Sequence, residues 1–150
     1  MKQPPTFSVI ITAYQRATFL PACIESVLNQ TYPEFELLVV DDGSTDSTSA
    51  IVKQYLSDRR VRYYWKENGG QASALNLGLS QSSGQLIAFL DSDCSWLPER
   101  LERHFSTAGA KPDYDIIYSE NVDVDENGQT IGTPSITRHS GNITDALLYD

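Results

Sequence analysis

The sequence predicts an α/β fold, a mostly parallel sheet flanked by helices and followed by a carboxyl-terminal antiparallel hairpin. Three observations predict it. Short apolar, β-rich runs alternate with segments of helical period, as βαβ units do around parallel strands. The central runs are apolar on both faces, as strands covered by helices on either side must be. The 150 residues, 40% of them hydrophobic, suffice for one domain with a real core and are too few for two ordinary ones.

Taken in order, Ser8 to Thr12 (SVIIT) reads as a central strand. Thr18 is expected to cap the first helix, with Pro21 in its first turn and Leu20, Ile24, Val27 and Leu28 on one face, and Pro33 stops the segment. Phe35 to Val40 (FELLVV) is a second buried strand that runs into Asp41-Asp42-Gly43-Ser44. Ser44 or Thr45 then caps a second helix whose buried stripe is Ile51, Val52, Tyr55 and Leu56. Val61 to Trp65 is a third strand, and Asn68-Gly69-Gly70 is a turn before a helix from about Gln71 to Ser80, with Leu75 and Leu79 facing inward. Leu86 to Leu90 (LIAFL), the most apolar strand, stops at Asp91-Ser92-Asp93, and a helix carrying Leu101 and Phe105 follows Pro98. From Tyr114 the pattern changes: Ile116 to Tyr118 read as a strand, Val122 and Val124 alternate with acids, and Asp125 to Gly128 is a turn. Together these predict the hairpin. Past Thr133 only a weak helical signal remains, around Ala146 to Leu148.

Charge narrows the partners. Eleven basic against 20 acidic residues leave a net charge of -9, and no Lys/Arg-rich stretch occurs. That argues against nucleic acid and anionic membrane surfaces as main partners. An acidic protein that binds a phosphorylated ligand needs a positive intermediary, and a metal ion held by carboxylates supplies one. Cys23 and Cys94 match neither a zinc spacing nor a small disulfide framework, which favours a reducing compartment. The polar start, Met1 to Thr6, has no signal-peptide pattern and no apolar run reaches membrane-spanning length, so a cytoplasmic location is expected. Membrane attachment through a segment outside these residues stays open.

In open parallel sheets ligands bind at the carboxyl ends of the strands. Here three strands end in polar groups, Thr12-Ala13-Tyr14, Asp41-Asp42 and Asp91-Ser92-Asp93, and a parallel arrangement gathers them at one edge. Asp and Ser after a strand also make ordinary turns and helix caps, but three such ends converging point to a site. Asp91 and Asp93 can approach each other, and hard oxygen ligands of this kind suit Mg²⁺ or Mn²⁺ completed by substrate phosphates and water. No glycine-rich phosphate cradle is present: Gly43 is a single turn glycine, and Gly69-Gly70 lacks both dinucleotide-fingerprint spacing and a P-loop lysine. Cys94, His104 and His139 have no partner at zinc-ligand spacing, and no Ser or Cys sits in a nucleophile elbow.

Phe7 to Tyr14 (FSVIITAY), Ser26 to Tyr32 (SVLNQTY), Phe35 to Asp46 (FELLVVDDGSTD), Asn68 to Gly70 with Ala74 to Leu79 (ALNLGL), and Gly84 to Asp93 (GQLIAFLDSD) together resemble the opening of family 2 glycosyltransferases of the GT-A fold. The resemblance covers roughly residues 5 to 125, with its motifs in the family's order. Two positions depart from it: Gln15 stands where the family usually has Asn, and Ala74 where many members carry Arg, so no cationic donor contact is expected from that helix.

The resemblance implies that Thr12 and Tyr14 line the base pocket, Asp42 reads the base, Asp91 lies near ribose or sugar, and Asp93 ligates the metal, with Asp91 beside it. Asp41 ties down the loop or contacts ribose. A carboxylate only accepts hydrogen bonds, so Asp42 pairs with the N3–H of uracil or thymine and repels the bare N3 of cytosine. The implied donor is a UDP- or dTDP-sugar. The implied reaction is one in-line displacement with inversion, in which Mg²⁺ or Mn²⁺ supports the leaving diphosphate and a carboxylate deprotonates an acceptor hydroxyl. Residues 1–150 are then a single GT-A donor-binding domain that stops before the acceptor-binding half, with the general base beyond Asp150. Asp145 and Asp150 read as surface residues. Such a chain is expected to bind donor without transferring sugar, and its exposed apolar end to favour self-association. Saccharide, lipid and protein acceptors all stay open. Two rivals remain: a nucleotide-sugar-binding module without catalysis, and a sugar-phosphate nucleotidylyltransferase. The latter is disfavoured because Thr12 to Arg16 lacks the glycine-rich, basic character that grips a triphosphate.

Overall fold

The computed structural model describes residues 5–110, 113, 115–119, 121–125 and 129–131. Four strands, β1 (Phe7–Ala13), β2 (Phe35–Asp41), β3 (Val61–Trp65) and β4 (Leu86–Asp91), form one parallel sheet in the order β3-β2-β1-β4. The helices α1 (Leu20–Leu28), α2 (Thr48–Gln54) and α3 (Gln71–Gln81) make the crossovers, and α4 (Arg100–Ala110) follows β4. The predicted α/β architecture is therefore observed. The chain divides into two compact units, Met1–Arg103 and His104–Asp150, with the parallel sheet wholly in the first.

β1 is central, as its apolar character on both faces requires: it pairs with β2 from Phe7↔Phe35 to Ala13↔Asp41 and with β4 from Phe7↔Leu86 to Thr12↔Asp91. Successive side chains point to opposite faces, so the sheet has two apolar layers. On one face Val9, Ile11, Leu37 and Val39 meet Leu20, Cys23, Ile24 and Val27 of α1, Val52 of α2, and Leu101 of α4. On the other, Ile10, Leu38 and Val40 meet Ala74 of α3, with Leu75 and Leu77 partly buried beside it. On α3, however, Leu79 is 40% exposed rather than inward, and the buried positions are the small residues Ala74 and Gly78. The reason is close approach: a Cβ at Gly78 would lie 2.6 Å from Ile10 Cγ2, so the helix sits too near β1 for a larger side chain.

Other local expectations are corrected. Phe19, not Thr18, precedes α1 and provides no side-chain cap. At α2 neither Ser44 nor Thr45 caps the helix; Ser47 is the boundary residue, and the Thr48 N–H donates to Asp46 Oδ1 at 2.9 Å. Leu56 is exposed rather than part of the buried stripe of α2. Ile116 to Tyr118 form no strand. The hairpin is present in short form, β5 (Asp123–Val124) antiparallel to β6 (Thr130–Ile131). Most of its predicted turn, the helical signal near Ala146 to Leu148, and His139, Asp145 and Asp150 lie outside the described residues. Among the described residues no helix is long and apolar enough to cross a membrane.

Candidate nucleotide-binding cleft

The strand order places a topological switch point at β1. The chain moves outward from β1 through β2 to β3, then returns to the other side of β1 as β4. Crossover connections leave such a point on opposite faces of the sheet and open a crevice at the strands' carboxyl ends. A cleft of about 570 Å³ lies there, lined by Thr12, Tyr14, Arg16, Asp42, Asn68, Gln71, Asp91 and Asp93 among others. Thr12 and Asp91 are direct register partners across the β1–β4 seam. Every residue singled out as a site candidate in the sequence, namely Thr12, Tyr14, Asp42, Asp91 and Asp93, lines this one cleft.

The loop after β1 is held by the loop after β2. Gln15 has φ 55, a left-handed conformation that costs a non-glycine residue about 1 kcal/mol or more. Its side chain offsets that cost: Nε2 donates to Thr45 Oγ1 at 2.9 Å, and Oε1 accepts from the Thr45 and Asp46 N–H groups at 3.3 and 3.1 Å. The Gln15 N–H donates to Ser44 Oγ at 3.0 Å, and the Arg16 N–H to Thr48 Oγ1 at 3.2 Å. The Gly43-to-Asp46 turn thus serves as a clamp on this loop, and Tyr14 within it lines the cleft half exposed.

The adjacent acids Asp41 and Asp42 have different surroundings. Asp41 is fully buried and accepts from the Ser44 N–H at 2.8 Å and the Tyr63 hydroxyl at 2.7 Å, so it ties down the loop. The Tyr63 phenol is pushed up to about 12, chiefly by burial, and stays a donor. Asp42 is 3% exposed. Its Oδ1 accepts from Lys66 Nζ at 2.6 Å and the Gly69 N–H at 3.0 Å, and its Oδ2 from the Gly70 N–H at 2.8 Å. Burial alone would raise its pKa, but these donors together bring it below the usual carboxylate value. The turn 68–70 is therefore built on Asp42. Gly43 is pressed against the same turn: it has φ 82, and a Cβ there would lie 2.8 Å from the Asn68 nitrogen, so glycine alone suits the position.

Asp91 and Asp93 are lightly held by comparison. Both are exposed; the Asp91 carboxylate meets Gln71 Nε2 at 3.4 Å, and Asp93 Oδ2 meets Arg16 Nη2 at 3.6 Å. Their loop is fixed from behind. The Asp91 carbonyl accepts from the Cys94 N–H, the Trp96 N–H donates to Ser26 Oγ, and Gln30 Nε2 donates to the Leu97 carbonyl at 2.8 Å. Gln30 Oε1 accepts the Leu101 N–H at 2.9 Å at the start of α4. Burial pushes the Cys23 thiol up to about 12, and burial with the charges of Asp93 and Asp91 raises Cys94. Both thiols stay protonated at neutral pH and neither is an activated nucleophile.

The sequence missed the contributions of Arg16, Lys66, Asn68, Gln71 and Gln30. Gln30 lay within the quoted SVLNQTY motif, and Arg16 two residues beyond Tyr14, but nothing in residue type alone marks their targets.

Residues 8–146 match the family described as Glycosyl transferase family 2. The chain belongs to glycosyl transferase family 2. One family relative, an uncharacterized glycosyltransferase of Rickettsia bellii, is 39% identical over 141 residues, covering 94% of this chain and 20% of the relative. Among solved structures, S. aureus TarS 1-349 in complex with UDP-GlcNAc is 32% identical with a TM-score of 0.68, over 71% of this chain and 32% of that one. The mannosyltransferase PcManGT of Pyrobaculum calidifontis, in complex with GDP-Man and Mn²⁺, is 28% identical with a TM-score of 0.58, over 63% of this chain and 29% of that one. The GT-A fold is thereby shared. The chain spans between 16% and 40% of the length of the curated relatives it matches.

Proposed function

We propose that this chain is the donor-binding part of an inverting glycosyltransferase that holds a UDP- or dTDP-sugar with Mg²⁺ or Mn²⁺. The observation that carries the reading is the convergence of Thr12, Tyr14, Asp42, Asp91 and Asp93 on one cleft at the switch point of the sheet. Support comes also from TarS and PcManGT, which bind UDP-GlcNAc and GDP-Man.

The chain's own residues divide the work. Thr12 and Tyr14 form the wall against which a base stacks. A carboxylate has about four acceptor positions, and three on Asp42 are taken, which leaves one on Oδ2. One open acceptor matches the single N3–H of uracil or thymine better than the two adjacent donors of guanine, and it opposes cytosine. Asp91 and Asp93 suit a hard cation: they are exposed oxygen ligands with only long contacts, and such ions take one or two carboxylates plus substrate phosphates. Among the described residues no group of three His, Cys, Asp or Glu side chains is placed to hold a metal ion, so on this reading the donor's diphosphate would complete the coordination. When bound, the ion neutralises charge on the leaving diphosphate. We place the general base outside this cleft, because Asp42 is occupied by its donors and Asp91 and Asp93 are assigned to the ion.

Titration calorimetry of the 150-residue chain with UDP tests the reading. Binding should require Mn²⁺ or Mg²⁺, vanish with chelator, and exceed that of CDP. Equal affinity with and without chelator would remove the metal bridge, and no binding of any nucleoside diphosphate would remove the donor site.

A further inference from the structure

The cleft has an unbalanced charge. Its lining includes three carboxylates and one cation, Arg16. Lys66 is nearby but is committed to Asp42 at 2.6 Å, where its partner's side chain is only 4% exposed. Among the described residues Arg16 is therefore the one lining cation that a diphosphate entering the cleft would meet, and Arg16 is paired with Asp93.

That pair has the character of a contact made to be exchanged. Its separation is 3.6 Å, longer than a charge-assisted hydrogen bond, and both side chains are 44% exposed. The backbone of Arg16, by contrast, is fixed on both sides: its N–H donates to Thr48 Oγ1, and its carbonyl accepts from Phe19 and Leu20 N–H groups. A well-anchored backbone thus carries a loosely engaged guanidinium at the mouth of the cleft. The planar guanidinium fork suits phosphate oxygens at least as well as a carboxylate.

We propose that Arg16 is an exchangeable counter-ion. It pairs with Asp93 in the ligand-free cleft, yields Asp93 to the divalent cation, and turns to the donor's diphosphate. The inference rests on the nucleotide-sugar reading above. Its consequence is coupling: the ion alone must displace Arg16 and remain near its charge, whereas nucleotide draws Arg16 away. Ion and nucleotide then strengthen each other's binding by the same factor.

The test measures Mn²⁺ alone, by electron paramagnetic resonance of the free ion, and UDP at saturating Mn²⁺, by calorimetry, for wild type, Arg16→Ala and Arg16→Lys. Arg16→Ala should bind Mn²⁺ alone about two- to fivefold more tightly, the scale of an exposed ion pair, and UDP about tenfold more weakly, the scale of a charge-assisted hydrogen bond. Arg16→Lys should keep wild-type Mn²⁺ affinity and recover part of the UDP affinity. Damage to the fold would weaken both arms, so the opposite signs are diagnostic. Unchanged or weakened Mn²⁺ binding in Arg16→Ala overturns the exchange, and unchanged UDP binding overturns the phosphate contact. A wild-type chain that binds neither probe overturns the nucleotide-sugar reading and this inference together. A wild-type chain that binds both, with an Arg16→Ala variant that behaves identically, removes this inference alone.

Discussion

Asp42→Asn changes one oxygen to an amide and should disturb two functions at once. The carboxylate accepts from Lys66 Nζ, Gly69 N–H and Gly70 N–H at 2.6, 3.0 and 2.8 Å. The carbonyl of an asparagine can keep the first two, but its NH₂ then faces the Gly70 N–H, and Lys66 loses its counter-charge. A buried donor left unpaired costs about 1–3 kcal/mol, and a half-broken buried ion pair adds to that. Because Lys66 keeps 20% exposure and part of its hydration, the sum is about 2–4 kcal/mol of folding stability. Urea unfolding without ligand should show a lower midpoint at unchanged slope. Calorimetry should show UDP weakened by about 1–3 kcal/mol and discrimination against CDP reduced. Lys66→Met separates the two roles, since it breaks the ion pair but leaves the carboxylate to meet a base: stability should fall while UDP–CDP discrimination persists. Asp42→Asn with wild-type ligand-free stability would refute the anchoring argument, and unaltered discrimination would refute base reading by Asp42.

Glu36 is 8% exposed and accepts from Ser8 Oγ, the Ser83 N–H and hydroxyl, and Arg62. Burial opposes its ionisation, but these donors together hold its pKa below the ordinary 4.5. Its folded value being depressed, it adds stability above the unfolded pKa and loses it as pH falls through the folded one. Glu36→Gln should cost about 2 kcal/mol at pH 7, and the gap to wild type should narrow in urea titrations below pH 4.5; a constant gap would sink the assignment. Gln30→Ala removes the acceptor of the buried Leu101 N–H and the donor to the Leu97 carbonyl, which should cost about 2–4 kcal/mol. Because that amide fixes the 92–99 loop, metal-dependent UDP binding should weaken as well, and a variant that unfolds at the wild-type urea midpoint would show the contact to be dispensable.

The parts of the fold legible in the sequence are those where one property decides. β1 and β2 are covered on both faces, so an unbroken apolar run marks them wherever it occurs. On α3 the large apolar residues Leu75 and Leu79 signal burial, yet only Leu75 packs against the core and Leu79 is exposed. There, distance decides instead, and Gly78 against Ile10 excludes what hydrophobicity would place inside. Helix caps failed for a related reason. Ser44 and Thr45 have the right chemistry for capping α2, but their hydroxyls are already engaged with Gln15, a residue 29 and 30 positions away. Local propensity does not record a competing partner that distant in sequence.

The same limit governs the cleft. Strand-end position was enough to gather Thr12, Tyr14, Asp42, Asp91 and Asp93, because parallel topology fixes where strand ends go. What each acid does is another matter, since Asp41, Asp42, Asp46, Asp91 and Asp93 are chemically identical in a sequence. The donors each already carries tell them apart. Asp41 is fully buried with a hydroxyl and an N–H on it, and Asp46 accepts from Thr48 and Ala17. Asp42 holds three donors and has one acceptor position open. Asp91 and Asp93 have contacts no shorter than 3.4 Å and most of their lone pairs available. Free acceptor capacity is what a cation or an incoming N–H requires, so the ranking by saturation is also a ranking by capacity to bind ligand. On the proposed reading it assigns Asp91 and Asp93 to a cation and Asp42 to a single base donor, while Asp41 and Asp46 hold the loops. Residue type and strand-end position alone do not yield that order, because saturation is set by groups that fold onto each acid from elsewhere in the chain; the motif resemblance implies a similar assignment, and the donors on each acid supply a physical reason for it.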